Sequence, residues 1–190
     1  MLIANLRIRP ATPDDAEQLV AYVGRVTGEP HNNVVLDPGQ WTMTLDDERA
    51  FLAARSESPD RGNFVVAEVE GEVVGVGGLD RGQRPTDRHA ATLGLTVDAA
   101  WRRRGIATAI MNYLIGWARH EGLVRIELKV FTRNAAAIAL YERLGFAHEG
   151  RHPKAFLKQG VWVEELTMGL LLASQARLPQ RHGDKDGGDQ

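Results

Sequence analysis

Residues Trp101–Ile110 read WRRRGIATAI, and this stretch places three arginines directly before the predicted start of a helix. The partial positive charge at the amino terminus of a helix favours anions, so arginines stacked there indicate a strongly negative ligand. The first amides of a helix have no intrahelical acceptors, and Gly105 and Ala107 let a ligand approach them closely. The guanidinium groups of Arg102–Arg104 add planar donors that suit phosphate oxygens. The stretch therefore predicts a turn that binds a diphosphate.

Two widespread phosphate-binding motifs do not fit this stretch. No lysine followed by serine or threonine comes after Gly105, as a P-loop requires, and the three spaced glycines of a dinucleotide-binding turn are missing. An ATPase or a nicotinamide-dependent dehydrogenase is therefore disfavoured. The pattern is also compatible with a solvated, arginine-rich helix start, because short motifs have many false matches.

A second stretch, NAAAIALYERLGF from Asn134 to Phe146, also carries polar groups at helical spacing. Asn134 is a good N-cap, and Gly145 is a residue that commonly ends a helix. Asn134 and Tyr141 are seven residues apart, which is nearly two helical turns. Both side chains are therefore predicted to lie along one face of a short helix.

The two stretches together resemble the GNAT family of acyl-CoA-dependent N-acetyltransferases. In that family an Arg/Gln-x-x-Gly-x-Gly/Ala motif opens a helix after the fourth strand, and an Asn…Ala-Ile…Leu-Tyr…Gly-Phe pattern follows. The resemblance runs from about Leu6 to Leu172 and is strong between His89 and Gly150. The matching residues are Arg102, Gly105, Ala107, Asn134, Ala137, Ile138, Leu140, Tyr141, Gly145 and Phe146.

The order of predicted elements agrees with an α/β (α+β) domain that has a mostly antiparallel first half and one β-α-β crossover, from Leu93 to Phe131. The GNAT resemblance implies a mixed central sheet of about seven strands, splayed between strands 4 and 5 and flanked by about four helices. One domain is expected over residues 1–172, followed by a disordered tail over 173–190, which contains few large apolar residues. Strands are predicted at 2–9, 63–69, 72–76, 89–97, 124–131, 146–152 and 161–171, and helices after Thr12, Thr44, Gly105 and Asn134.

The resemblance implies acetyl-CoA as the co-substrate. Its diphosphate would lie on the arginine-rich turn, and its pantetheine arm would pair with the fourth strand as β-augmentation, provided that the next strand splays away after Val97. Asn134 would cap the helix, hydrogen-bond the arm, or do both. The implied cofactor-binding residues are Leu95, Thr96, Val97, Arg102, Arg103, Arg104, Gly105, Ile106, Ala107, Thr108 and Asn134.

For the chemistry, the resemblance assigns Tyr141 as the general acid that serves the departing thiolate; the alternative is a tyrosine that only packs near a helix end. The base stays open. Some relatives carry a glutamate five residues before the motif asparagine, but Lys129 stands there. Glu127, two residues earlier on the same strand face, and His89, whose imidazole is a side chain suited to proton transfer, are candidates, as is a chain of water molecules.

The acceptor pocket of such folds is built by the first two helices, their connection and the last strands. Acidic and aromatic side chains there would suit a cationic amine. The candidates are Glu29, His31, Asn33, Trp41 and Glu164, with Asn32 and Trp162 beside them. Large aromatic residues often pack in cores, so Trp41 and Trp162 are also compatible with a structural role.

The composition of the chain excludes or disfavours several other classes of protein. The chain has 190 residues, 43% of them hydrophobic and 25% charged, a formal net charge of −2 and no cysteine. The negative net charge argues against a general nucleic-acid-binding protein, which would usually be strongly basic. The lack of cysteine excludes disulfides and thiolate chemistry. No signal-peptide core or long apolar run occurs, so a cytoplasmic protein without membrane contact is expected. The histidines and acidic residues show no arrangement that requires a metal.

The resulting hypothesis is an N-acetyltransferase that moves an acetyl group from acetyl-CoA to a primary amine by direct attack. The amine would belong to a small molecule, such as an amino acid or a polyamine, or to a protein N-terminus. The alternative is a catalytically idle module that binds or senses acyl-CoA. A homodimer that forms through the last strands is a further expectation, because the resemblance implies it: dimerisation is common in the GNAT family.

Overall fold

The structure, a computed structural model, describes residues 5–172, which form strands and helices. The strands are β1 (Leu6–Pro10), β2 (Gly62–Val69), β3 (Glu72–Arg81), β4 (Ala90–Val97), β5 (Arg125–Phe131), β6 (Ala147–Lys158) and β7 (Val161–Leu171). The helices are α1 (Ala16–Gly28), α2 (Leu45–Glu57), α3 (Ile106–His120) and α4 (Ala135–Arg143). The tail predicted to be disordered, 173–190, lies outside the described residues, as do residues 1–4 at the start of the first predicted strand.

All seven of these strands belong to one sheet, in the order β1-β2-β3-β4-β5-β7-β6. β4 and β5, which α3 connects, run parallel, and every other neighbouring pair is antiparallel. This mixed sheet with its single parallel pair confirms the predicted fold class. None of the helices within residues 5–172 is long and apolar enough to cross a membrane.

Helices cover both faces of the sheet, and the alternation of each strand divides its side chains between two cores. On the α3/α4 face, Ile126, Leu128 and Val130 of β5 pack in one cluster with α3 and α4. On the α1/α2 face, α1 and α2 pack against Val66 of β2 and Val73 of β3. Successive strand side chains point to opposite faces, so the odd-numbered residues of β5 lie on the α1/α2 face.

The third strand is longer than predicted, and Gly77 and Gly78, which follow the predicted end at Val76, lie within it. β3 continues past Val76 to Arg81. A Cβ atom at Gly77 would lie 2.4 Å from Cγ2 of Ile110, so the glycine allows α3 to pack directly on β3. The glycines are therefore packing residues inside the strand.

The sixth strand is also longer than predicted, since it runs to Lys158 instead of ending at His152. The residue after the predicted end is Pro153, which cannot donate to a strand ladder. β6 is an edge strand, and its pairing with β7 shifts in register between His152 and Phe156. Such an irregularity at an edge accommodates the proline within the strand.

The parallel pair separates earlier than expected. β4 and β5 pair only from Ala90 with Arg125 to Leu93 with Leu128. The split was predicted after Val97, so it begins four residues sooner. The carboxyl-terminal half of β4 consequently has β3 on one side and a gap on the other.

Candidate active site

The gap exposes the backbone of β4 on its β5 side. Backbone groups in an antiparallel strand alternate between its two neighbours. The amide of Asp98 donates to the carbonyl of Val74 at 3.0 Å, so Asp98 faces β3 and Val97 faces the gap. By the same alternation, Leu95 faces the gap, whereas Thr96 faces β3. Of these three predicted residues, Leu95 and Val97 are the ones whose backbone can pair with an extended ligand.

Thr96 instead connects β4 to the first helix through its side chain. Its Oγ1 lies 3.0 Å from the hydroxyl of Tyr22, which is fully buried, and burial raises the pKa of Tyr22. Nearby, Nε of Arg25 donates to the carboxylate of Asp98 at 3.0 Å. These two contacts hold α1 against the end of β4 that borders the gap.

The turn that follows β4 presents a run of backbone donors. Among the residues that the structure describes, no acceptor is found for the amides of the six residues 103–108. The first helical bond of α3 runs from the Ala109 amide to the Gly105 carbonyl at 3.0 Å. Gly105 has φ +86°, a left-handed conformation that glycine adopts at little cost. Unpaired amides at the start of a 15-residue helix form a site for an anion.

The predicted cofactor residues Ile106, Ala107 and Thr108 make up the first turn of α3. The side chain of Ile106 is buried in the core of the α3/α4 face, whereas Ala107 and Thr108 are partly exposed. Their contribution to an anion site therefore comes from their backbone amides.

Arg102, the first residue of the turn motif, is already engaged within the protein. Its Nε donates to the carbonyl of Val97 at 2.9 Å, and its Nη2 contacts both carboxylate oxygens of Glu29 at 2.8 and 2.6 Å. The guanidinium thus links the end of β4 to the segment after α1. Its role in the structure is to fix the shape of the turn.

The other two arginines leave more of their charge for a ligand. Arg103 is exposed, with φ +62°, and its side chain has no ion pair or hydrogen bond within residues 5–172. Arg104 stacks over the indole of Trp101 at 4.9 Å from the ring centroid. Stacking orients the Arg104 guanidinium while its N–H groups stay available.

Tyr141 lies in α4, within the core of the α3/α4 face, and is 6% exposed. Its ring centroid is 5.8 Å from that of Phe146. No described residue forms a hydrogen bond with its hydroxyl, although buried tyrosine hydroxyls usually have a partner. Burial raises the pKa of Tyr141 to about 12, so the hydroxyl keeps its proton throughout the neutral range. The residue therefore has a donor to offer to a ligand.

Asn134 caps α4 as predicted. Its Oδ1 accepts from the amide of Ala137 at 3.3 Å, and its own amide donates to the carbonyl of Phe131 at 2.9 Å. The cap uses the side-chain oxygen, so the Nδ2 group can still donate to a ligand.

The two candidate bases lie away from the open half of β4. Oε2 of Glu127 accepts from Arg125 at 2.9 Å, and Glu127 pairs in register with Thr92, before the strands separate. Glu127 and Thr92 line a polar depression of about 490 Å³ at the amino-terminal end of β4. His89 precedes β4 and is six residues from Leu95, a separation of about 20 Å at about 3.3 Å per residue. The structure therefore does not bring His89 within direct reach of a ligand at the gap.

The connection between α1 and α2, residues 29–44, is held over the α1/α2 face by two cations that the sequence analysis did not select. Arg133 donates to the Asn32 carbonyl at 2.6 Å and to Oδ1 of Asn33 at 3.3 Å. Lys158 is 4% exposed, and its Nζ donates to Oδ1 of Asn32 and to the carbonyls of Val34 and Leu36. No local signal in the sequence marks either residue, because their partners are more than 90 positions away.

The remaining predicted acceptor residues are placed differently. His31 is exposed with φ +54°, and the indole Nε1 of Trp41 is buried without a hydrogen-bond partner among the described residues. Glu164 accepts from Nε of Arg151 at 2.7 Å. It shares its strand face with Leu166 and Met168, which pack on the α3/α4 face. Glu164 is therefore not beneath the 29–44 connection, whereas Glu29 and Asn33 belong to that connection.

Lys158 is expected to determine how firmly the connection is held. Besides Asn32, its Nζ contacts the carbonyls of Val34 at 2.5 Å and Leu36 at 2.8 Å, and Asp37 at 3.3 Å. Replacing it by methionine leaves these buried oxygens without a donor. We expect the Lys158→Met variant to lose about 2–4 kcal/mol of unfolding free energy, measured by urea denaturation.

Lys154 supplies the matched control in the same strand, since it is exposed and only stacks over Trp162 at 5.8 Å. The Lys154→Met variant should lose at most about 1 kcal/mol. Equal losses in the two variants would contradict the anchoring role of Lys158.

No group of three or more His, Asp or Glu side chains in residues 5–172 is arranged to hold a metal ion. His148 and His152, four residues apart on β6, have separate partners. Nε2 of His148 lies 2.8 Å from Glu142, and Nε2 of His152 lies 2.9 Å from Oγ1 of Thr167.

This fold belongs to a known class of protein. The family model described as "Acetyltransferase (GNAT) family" matches residues 31–146, which is more than half of the chain. The chain therefore belongs to the GNAT family, as its two motifs indicated.

Individual relatives agree with this assignment. The L-amino acid N-acetyltransferase AaaT of Escherichia coli (strain K12) is 41% identical over 108 residues, covering 55% of this chain and 65% of that protein. The chain spans 52% to 65% of the length of the first curated relatives it matches.

Solved structures show the same architecture. A GNAT acetyltransferase from Streptococcus pneumoniae is 30% identical with a TM-score of 0.83, covering 88% of this chain and 99% of that one. The putative acetyltransferase yncA of Salmonella typhimurium, solved with acetyl-CoA, is 23% identical with a TM-score of 0.80, covering 93% and 99%. The latter comparison concerns the fold alone.

Proposed function

We propose that the protein transfers an acetyl group from acetyl-CoA to the primary amine of a small molecule or of a peptide N-terminus. The observation that carries this proposal is the gap beside β4, which leads directly into the unpaired amides of residues 103–108. An extended arm that ends in a diphosphate fits both features at once. The L-amino acid N-acetyltransferase activity named for the AaaT relative favours an amino acid as the first acceptor to test.

Different groups of the chain are proposed to bind different parts of acetyl-CoA. The backbone of Leu95 and the amide of Val97 are free to pair with a pantetheine arm, as in β-augmentation. The amides of residues 103–108 receive the diphosphate, with charge from Arg103 and Arg104. When bound, acetyl-CoA supplies an activated acyl group, and the residues of the chain hold it beside the gap.

Tyr141 is proposed to serve the departing sulfur as a hydrogen-bond donor. A thiol has a pKa of about 8.5, whereas burial raises the pKa of Tyr141 to about 12. Complete proton transfer from tyrosine to a thiolate is therefore uphill. A hydrogen bond that strengthens as negative charge develops on sulfur lowers the barrier without requiring that transfer.

The function is tested by measuring thiol release from acetyl-CoA with a panel of amino acids, polyamines, aminoglycosides and N-terminal peptides. We expect at least one primary amine to raise CoA release well above the amine-free rate and to give an N-acetyl product by mass spectrometry. A protein that binds CoA but responds to no amine in the panel would instead be an idle acyl-CoA-binding module, and acetyl transfer would be wrong.

A further inference from the structure

Glu165 is a buried carboxylate to which the proposed function assigns no role. It is 6% exposed and lies on β7, where it pairs in register with Phe131, the last residue of β5. Like the odd-numbered residues of β5, it is on the α1/α2 face. Because β5 separates from β4 after Leu128, Phe131 at the end of β5 borders the gap. Glu165 lies on the next strand, β7, whose backbone is about 5 Å from that of β5.

The Glu165 carboxylate has fewer hydrogen-bond and ion-pair partners than a buried carboxylate normally has. None of the described residues donates a hydrogen bond to it, and its ion pair is with Lys129, whose Nζ is 3.5 Å from Oε2. The side chain of Lys129 is 57% exposed. Buried carboxylates normally have hydrogen-bond donors or metal ligation. Glu165 can therefore accept a further cationic donor.

Other charged groups on this face already have close partners. Lys158 holds the 29–44 connection, Arg133 binds the same connection, and Glu127 accepts from Arg125. The imidazole of His152, the register partner of Glu165 on β6, contacts Thr167. Glu165 is thus the acidic group beside the gap whose described partner is a single flexible lysine.

We propose that Glu165 binds the ammonium group of the acceptor and that Lys129 is the resting counter-ion which this ammonium displaces. The inference rests on the proposed acetyl transfer and names its acceptor class: a primary amine that is protonated in solution. The bound ammonium releases one proton to water before its neutral nitrogen attacks the thioester carbonyl and the CoA thiolate leaves. Lys129 can move into water because its stem is long and largely exposed, whereas Glu165 is held in place by its burial.

The test compares two variants for which the proposal requires opposite effects. The acceptor is the panel amine with the highest kcat/KM, used as its amide if it is an amino acid, so that it carries no carboxylate. Glu165→Gln should raise the acceptor KM at least tenfold. Lys129→Met should lower that KM about three- to tenfold, because it removes the competing cation. The Kd for acetyl-CoA should not change in either variant.

Glu72→Gln, an exposed carboxylate at the start of β3, serves as the control and should leave the acceptor KM unchanged. An unchanged KM in Glu165→Gln would overturn the inference, and so would a raised KM in Lys129→Met. A larger effect of Glu164→Gln than of Glu165→Gln would also overturn it. Wild-type protein with no amine-dependent CoA release would be a failure of the proposed function itself, distinguishable from these results.

Discussion

Replacing Tyr141 by phenylalanine is expected to lower kcat by about 10²- to 10³-fold, within the range for the loss of one positioned hydrogen-bond donor. The substitution removes one hydroxyl that has no partner among the described residues and leaves the ring in the core beside Phe146. The donor would act only as charge develops on sulfur, so the loss belongs to the chemical step. Steady-state kinetics with the best panel amine would measure kcat, and titration would show an unchanged Kd for acetyl-CoA.

Tyr113→Phe is the matched control for this experiment. Tyr113 is partly buried in α3 and packs against the same core, so its loss of a hydroxyl tests for a general effect on folding. We expect its kcat to remain within about twofold of the wild-type value. If Tyr141→Phe kept wild-type kcat, the hydroxyl would be a bystander, and solvent or another donor would serve the sulfur.

The parts of the site that depend on local sequence could be predicted. Gly105 and Asn134 each start a helix through their own backbone or side chain, and the spacing of Asn134 and Tyr141 follows from helical geometry. The order of strands and helices also follows from local patterns. These features depend on residues within a few positions of one another, and the structure has them where they were expected.

The parts that depend on contacts between distant segments could not be predicted. The guanidinium of Arg102 contacts Glu29, 73 residues away, and no local pattern indicates this contact. Of two adjacent glutamates, Glu164 is the predicted acceptor residue, whereas the register of β7 places Glu165 on the α1/α2 face. A strand reverses its faces with a shift of one residue, and only its neighbours determine which face is buried.

The turn before α3 is expected to be the most sensitive point for binding acetyl-CoA. Gly105 has φ +86°, where a β-branched residue is strained, and no atom beyond its two chain neighbours lies within 4 Å of an added Cβ. The strain in Gly105→Val is therefore conformational, and relieving it moves the amides of the turn. Loss of two amide contacts to a diphosphate, at about 1.5 kcal/mol each, would raise the Kd for acetyl-CoA about 100-fold.

Gly71→Val separates this effect from a general loss of stability. Gly71, in the turn between β2 and β3, has φ +87° and equally open surroundings, so valine meets the same kind of strain there. Both variants should lose about 1–2 kcal/mol of unfolding free energy, but only Gly105→Val should weaken acetyl-CoA binding in calorimetric titration. Because the two positions share their backbone conformation, a similar Kd in both variants would mean that the amides of residues 103–108 do not hold the diphosphate.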